Sequence, residues 1–369
     1  VNETICGGVI MKPRIGVIGG GVYGAQVIKA YYTAHKEGSV DFVSVCDINP
    51  DVLANLQSTY GLKGYQDYKE MLAKEKLDGV AIVTPDYLHK EIATYCAEQG
   101  VHMLVQKPLD TTTAGAQEMV EAANKNNVML FVDFHKRYDP GHIQLKNDIK
   151  ANKLGKIQYG YVCMEDTIHV PSVWFKSWAH KSSPVWFIGV HFYDLIYWLM
   201  ESKPVDVYAT GIKDKLLSMG IDTYDSIQAK FRFENGASFT IDASWILPNS
   251  FTAIVNQQIR VVGSEGMEEV DSQDRGLMAA FSCHPTAIQA NPYGKLEVED
   301  TIYGGTRLNG YTIDSMLHFL KLLRRVKEGT PVNDLKKYYP TGEEAIISTR
   351  MCEAAHESVV TGKIVQLGL

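Results

Sequence analysis

Uniformly apolar runs alternate with helix-period stretches through the first third of the chain. "RIGVI" (14–18) ends in Gly19-Gly20-Gly21 and gives way to "VYGAQVIKAYYTAH". "DFVSVCD" ends at Asp47 and is followed by "INPDVLANLQSTYG", where Asn49 caps a helix, Pro50 opens it and Gly61 stops it. "GVAIVTP" (79–85) is a third strand, and a helix over 86–99 is closed by Gly100. "VHMLVQKP" and "VMLFVDFH" (128–135) are the fourth and fifth strands, separated by a helix that begins near Thr113. Strands this apolar are buried on both faces, which requires a parallel sheet covered by helices. The alternation predicts a doubly wound α/β domain.

Beyond Pro140 the grammar changes. A helix over about 139–153 ends at Gly155, and longer strands with polar alternation follow: "KIQYGYVCMED", "VDVYATG", "SIQAKFRFENGASFTIDASW" and "QQIRVVGSEGMEEV". Asn235-Gly236 is a hairpin signal because both turn residues tolerate positive φ, and Ser264-Glu265-Gly266 marks another turn. This is the pattern of a mostly antiparallel, open-faced sheet with helices on one face (α+β). Two helices close the chain, one near 313–328 and one from the capping box Thr341-x-x-Glu344 to Gly362. The predicted layout is a leader over 1–11, expected to be disordered, a first domain over 12–137 and a second over 138–369. The C-terminal helices are free to pack back on the first domain.

Composition narrows the partners. Of 369 residues 45% are hydrophobic and 21% charged, which describes a folded soluble protein, and the net charge of −7 disfavours nucleic acid and anionic membrane. The longest apolar stretch, "WFIGVHFYDLIYWLM", carries a histidine and an aspartate, so no membrane span is expected. Six scattered cysteines without a CxxC pair fit neither a zinc site nor a disulfide framework and favour a reducing cytoplasm. His169 and His284 have no neighbouring ligand pattern, so no metal site is predicted. The free face of the second sheet suggests a homodimer or homotetramer.

Gly19-x-Gly21-x-x-Gly24 lies between a strand and a helix, where glycines permit a tight turn and a close approach of pyrophosphate to the backbone. Val22 and Tyr23 lie within the same turn. Asp47 ends the second strand and suits the two ribose hydroxyls; it repels a 2′-phosphate, and no arginine stands in "DINPD". These residues predict a Rossmann domain that binds NAD in preference to NADP. Ligands on such sheets bind beyond the carboxyl ends of the strands, where Thr84, Pro85, Gln106, Lys107 and His135 fall, and His89 just beyond is either a contact to the nicotinamide end or a packed structural histidine. Lys107 is then either a solvated strand end or a catalytic ammonium.

From Lys12 to Leu369 the chain resembles the Gfo/Idh/MocA family of NAD(P)-dependent oxidoreductases. "IGVIGGGVYG" is similar to the family's opening, "TPDYLHKEIATYCAEQGVHMLVQKP" to its TPxxxH-to-Glu-Lys-Pro stretch, and "HKRYDP" to its arginine-aromatic-x-Pro segment. "GVHFYDLIYWL" is similar to its Gly-x-His-x-x-Asp helix and "EAAHESVVTGK" to its terminal helix. The resemblance implies an NAD-dependent dehydrogenase or reductase of a sugar, sugar acid or cyclitol, with Lys107 and His191 flanking the reacting carbon. His191, with an ordinary pKa near 6.5, suits proton transfer, and Lys107 suits the developing oxyanion. His135, Trp178, Phe187 and Asp194 are candidate substrate contacts, and "MEDTIHVPSVWFKSWAHKSSPVWF" a candidate wall, with Lys176, His180 and Lys181 beside its tryptophans. Two positions depart from the family pattern. Gln106 stands where it has glutamate, so Lys107 should hold its proton less tightly, and Phe187 stands where many members have aspartate. Related readings are an NAD-dependent glycosidase with transient sugar oxidation and a non-catalytic NAD-binding regulator.

Overall fold

The computed structural model describes residues 12–271 and 275–369; the expected leader over 1–11 lies outside the described residues. The chain begins with β1 (Arg14–Ile18), α1 (Val22–Lys36), β2 (Asp41–Cys46), α2 (Pro50–Tyr60), β3 (Lys63–Tyr65) and α3 (Tyr68–Glu75). It continues through β4 (Gly79–Ile82), α4 (His89–Glu98), β5 (His102–Val105), α5 (Thr113–Lys125) and β6 (Leu130–Val132). The strands form one parallel sheet in the order β3-β2-β1-β4-β5-β6, a doubly wound arrangement whose order reverses beside β1. Asn49 accepts from the amide of Asp51 at 2.9 Å and Gly61 turns left-handed at φ +67°, so the predicted cap and stop of α2 both form.

Two elements escape the periodicity. β3 is the three-residue edge strand "KGY", too short and too exposed to show alternation, and α3 follows it behind the cap of Asp67. The helix expected from Asp86 begins as a single 3₁₀ turn and becomes α-helical only at His89.

The second part runs through α6 (Pro140–Lys150), β7 (Ile157–Thr167), α7 (Val190–Met200), β8 (Pro204–Ile212), α8 (Lys215–Ser218), β9 (Ser226–Phe233), β10 (Ser238–Leu247), β11 (Val255–Gly263) and β12 (Met267–Asp271). Two small exposed hairpins follow, β13 (Leu277–Ala279) with β14 (Ile288–Ala290) and β15 (Leu296–Glu299) with β16 (Thr306–Asn309). The chain closes with α9 (Tyr311–Lys327), α10 (Val332–Leu335), α11 (Gly342–Thr361) and β17 (Val365–Gln366). The larger sheet has the order β12-β11-β7-β10-β9-β8-β17 and is antiparallel except where β7 meets β10. The β9–β10 hairpin takes a positive φ at Gly236, +88°, but not at Asn235, so the turn uses one left-handed residue where two were expected.

Helices cover one face of this sheet and tie it to the first. α11 packs on β8, α7 and α5, and α9 packs on α1. The amide of Val132 at the outer edge of the parallel sheet donates to the Pro340 carbonyl at 2.9 Å. One apolar core runs from Ile82 and Val105 through Phe134 and Phe192 to Phe231 and Ile241, so the two sheets share buried surface. The ends of the parallel strands thereby face the inner side of β7 and α7.

Candidate active site

The glycine turn is built by close contacts that only glycine allows. A Cβ at Gly24 would lie 2.2 Å from the Gly19 carbonyl oxygen, and one at Gly19, whose φ is +104°, would lie 2.3 Å from that of Val83. At Gly21 an added Cβ meets nothing within 4 Å, so the backbone faces open space at the start of α1, which has no side-chain cap. Asp47 is fixed at the rim of that space: one carboxylate oxygen accepts from the Gly20 amide at 2.7 Å and the other from the Asn49 amide at 2.8 Å. Uncapped amides, a floor without side chains and a carboxylate at the end of β2 fit the pyrophosphate and ribose of a dinucleotide. Val22 is exposed at the start of α1, whereas Tyr23 turns inward and its hydroxyl donates to Asp133 at 3.2 Å.

Lys107 is not a solvated strand end. It is buried, its ammonium donates to the Phe187 carbonyl, and it sits 4.1 Å from the centroid of the Phe187 ring. Burial pushes its pKa down to about 8, against the opposing charges of Asp86, Asp166 and Asp133. The proton is held less tightly, as expected, but desolvation rather than the absence of a neighbouring carboxylate is the main cause. Gln106 uses its amide to donate to Asp133, so the carboxylate absent from position 106 enters from the end of β6. Asp133 also accepts from the Ser315 hydroxyl.

His191 opens α7, buried, with its ring 4.6 Å from that of His135 and its Nδ1 without a protein partner. Burial, Lys107, His135 and Lys136 together push its pKa well below the ordinary imidazole value. At neutral pH the ring is therefore uncharged, suited to hydrogen bonding more than to holding a proton. His135 is likewise held neutral by burial and by Lys136 and Lys107. Lys136, buried, donates to Gln257 and to the Tyr311 hydroxyl.

Other predicted residues have different surroundings. His89 has both ring nitrogens at carbonyls, Pro108 at 2.8 Å and Thr84 at 2.9 Å, and so ties the loops after β4 and β5 together. The Thr84 hydroxyl is buried and unpartnered, with Pro85 beside it in the same loop. Asp194, a predicted substrate contact, is taken up by Arg137 through two bonds of 2.8 and 2.6 Å. Trp178 stacks at a tilt on Phe175, 4.4 Å between centroids, and Phe175 packs on Phe187; Lys176, His180 and Lys181 are exposed. A cavity of about 590 Å³ lined by Leu53, Gln57, Lys63 and Tyr65 lies at the β3 edge and shares no residue with the lysine cluster. Among the described residues no group of His, Cys, Asp or Glu side chains has a metal-binding arrangement, and no helix is long and apolar enough to cross a membrane.

Three members of the cluster were not anticipated: Asp133, Lys136 and Asp166. Asp133 carries the same signal as Asp47, a carboxylate ending an apolar strand. Asp166 stands in phase with Val162 and Met164 on the inner face of β7, where alternation calls for an apolar residue.

Residues 13–134 match the profile of an oxidoreductase family with an NAD-binding Rossmann fold, and residues 142–269 match the GFO/IDH/MocA C-terminal domain. A myo-inositol 2-dehydrogenase of Thermotoga maritima is 27% identical over 264 residues, covering 69% of this chain and 73% of the relative. An uncharacterized oxidoreductase of Streptococcus pneumoniae is 23% identical over 368 residues, 96% of this chain and 98% of its own. A solved scyllo-inositol dehydrogenase from Lactobacillus casei, with bound NAD(H) and scyllo-inositol, superposes with a TM-score of 0.76 at 16% identity, covering 97% of this chain and 100% of that one. At that identity the likeness speaks for the fold.

Proposed function

The chain belongs to the Gfo/Idh/MocA oxidoreductases, and from that premise we propose that it is an NAD-dependent dehydrogenase or reductase of a secondary alcohol on a sugar, sugar acid or cyclitol. The observation that carries the reading is the burial of Lys107 after β5, His135 after β6 and His191 in α7 in one electrostatically linked cluster, with the first two at the carboxyl ends of strands in the sheet that carries the glycine turn. NAD, when bound, supplies the acceptor for the hydride leaving the alcohol carbon. The glycine turn and the amides opening α1 hold its pyrophosphate. Asp47 takes the ribose hydroxyls and repels a 2′-phosphate, which favours NAD over NADP. Lys107 steadies the alcohol oxygen as negative charge builds and shares its proton, and neutral His191 orients the hydroxyl through a hydrogen bond. Cyclitols head the substrate classes because relatives in sequence and in fold bear inositol dehydrogenase names.

The test is NADH formation with NAD and a panel of polyols, sugars and sugar acids, repeated with Lys107→Ala and His191→Ala. Each substitution should lower kcat/KM by about 100-fold or more. Undiminished turnover in both variants removes the site assignment. The uncovered sheet face, with Tyr159, Tyr161 and Tyr208 exposed, is the surface on which a second copy packs in this reading. Light scattering that finds only monomer at micromolar concentration overturns that part.

A further inference from the structure

Oxidising a secondary alcohol needs an acceptor for the hydroxyl proton, and the two residues assigned to the oxygen are poor acceptors. His191 is kept neutral with its basicity depressed, and Lys107, pushed down to about 8, is still largely an ammonium at neutral pH. Opposite them stands a carboxylate with no structural task.

Asp166 is 1% exposed, and its Oδ1 has no hydrogen-bond partner. It follows Val162 and Met164 on the inner face of β7, with Val255 of β11 beside it in register. Thr84 Oγ1, Thr167 Oγ1 and His191 Nδ1 are also buried and unpartnered. An unsatisfied buried polar atom costs about 1–3 kcal/mol, so Asp166 Oδ1 and His191 Nδ1, both on groups that feel Lys107, are poor packing and good provision for a polar ligand. The charged groups that act on Asp166 are Lys107 after β5 and Lys136 beyond the end of β6; Lys107 in turn feels Asp86 after β4 and Asp133 after β6, and acts on His135 and His191.

We propose that Asp166 is a catalytic residue, the general base that accepts the substrate's hydroxyl proton, filling the role left vacant where Phe187 occupies the position of an aspartate. The inference rests on the dehydrogenase reading. The O–H bond breaks and its electron pair forms the C=O bond, the C–H pair leaves as hydride to the NAD⁺ of the proposed reaction, and the proton joins Asp166 Oδ1. Lys107 steadies the oxygen throughout and keeps the carboxylate ionised until the proton arrives. Burial pushes the Asp166 pKa up to about 7 against the pull of Lys107 and Lys136, which places it at the working range of a base.

Two measurements test this. Infrared difference spectra of the ligand-free protein between pH 5 and 9 should show a protonated-carboxyl band lost near pH 7, absent from Asp166→Asn. With the most active polyol of the panel, the wild-type kcat/KM should fall on an acidic limb centred near pH 7. Asp166→Asn should keep NAD affinity, followed by quenching of protein fluorescence, and lose about 100-fold or more in kcat with that limb abolished. A carboxyl band that titrates below pH 5, or Asp166→Asn turnover within threefold of wild type with the limb intact, overturns the base. Should Asp166→Asn not fold, Asp166→Glu, which keeps the carboxylate, takes its place: a band and limb that both move in that variant support the base, and a band and limb that stay put overturn it. Wild-type protein that yields no NADH with any polyol, while the band still titrates near 7, overturns the dehydrogenase reading and the base with it.

Discussion

A buried ammonium should leave its mark on the pH dependence of stability. Lys107 titrates at about 8 in the folded chain against an ordinary 10.5. Between those values the unfolded chain carries a proton that the folded chain has released, so the free energy of unfolding rises with pH across this window. At about 1.4 kcal/mol per pH unit, the full rise is ~3 kcal/mol. Lys107→Met keeps the apolar stem and removes the titration, although it also frees the Phe187 carbonyl and leaves Asp86, Asp133 and Asp166 without their cation. Loss of the cation also pushes the Asp166 carboxyl, already up at about 7, further up. A carboxyl raised in the folded variant makes its stability fall as pH rises, a divergence of the same sign, so the slope reads the buried ammonium together with the carboxylates it holds. The assay is equilibrium urea unfolding at pH 7, 8, 9 and 10, followed by both fluorescence and far-ultraviolet circular dichroism so that non-coincident transitions are detected. The difference between wild type and Lys107→Met should grow in favour of wild type by at least ~3 kcal/mol. Parallel profiles from pH 7 to 10 would mean that the lysine is solvated in the folded protein, and the argument for a tuned amine at the strand ends would collapse.

Gly24→Ala brings a methyl group to 2.2 Å from the Gly19 carbonyl oxygen; overpacking of this kind costs about 1–3 kcal/mol, and NAD affinity measured by fluorescence quenching should fall at least tenfold. Asp47→Ala should weaken NAD binding far more than NADP binding, since it removes ribose acceptors and repulsion together; equal loss in paired titrations places the carboxylate elsewhere. Arg137→Ala strands the fully buried Asp194, and breaking such a pair costs about 3–5 kcal/mol, read as a lowered midpoint in urea with NAD affinity of the folded fraction unchanged.

What was readable in the chain follows the strength of its physical signals. Five strands of the parallel sheet announce themselves because both faces are buried, and the glycine turn because backbone clashes exclude other residues at Gly19 and Gly24. β3 is silent because its three half-exposed residues impose no pattern, and the hairpins over 277–309 because they bury little. Lys107 and His191 are legible as a pair through family resemblance, whereas the depressed basicity of His191 depends on its burial and then on charges brought in after β5 and β6. Asp194 shares the helix with His191, yet its partner Arg137 lies 57 residues away and nothing local points to it. Asp166 was within reach: it lies in the segment expected to line the substrate, and an acid in the apolar phase of an alternating strand is itself a signal.

The position of β7 sets an order of assembly. It is the first strand of its sheet to be made, yet its two neighbours are β10 and β11, whose last residues are Leu247 and Gly263. Through the synthesis of the following hundred or so residues this strand has unsatisfied amides and carbonyls along both sides, a template for mispairing. Fragments that stop short of Gly263 should therefore be prone to aggregation, and refolding of the whole chain should be slow, because its central ladder pairs strands far apart in sequence.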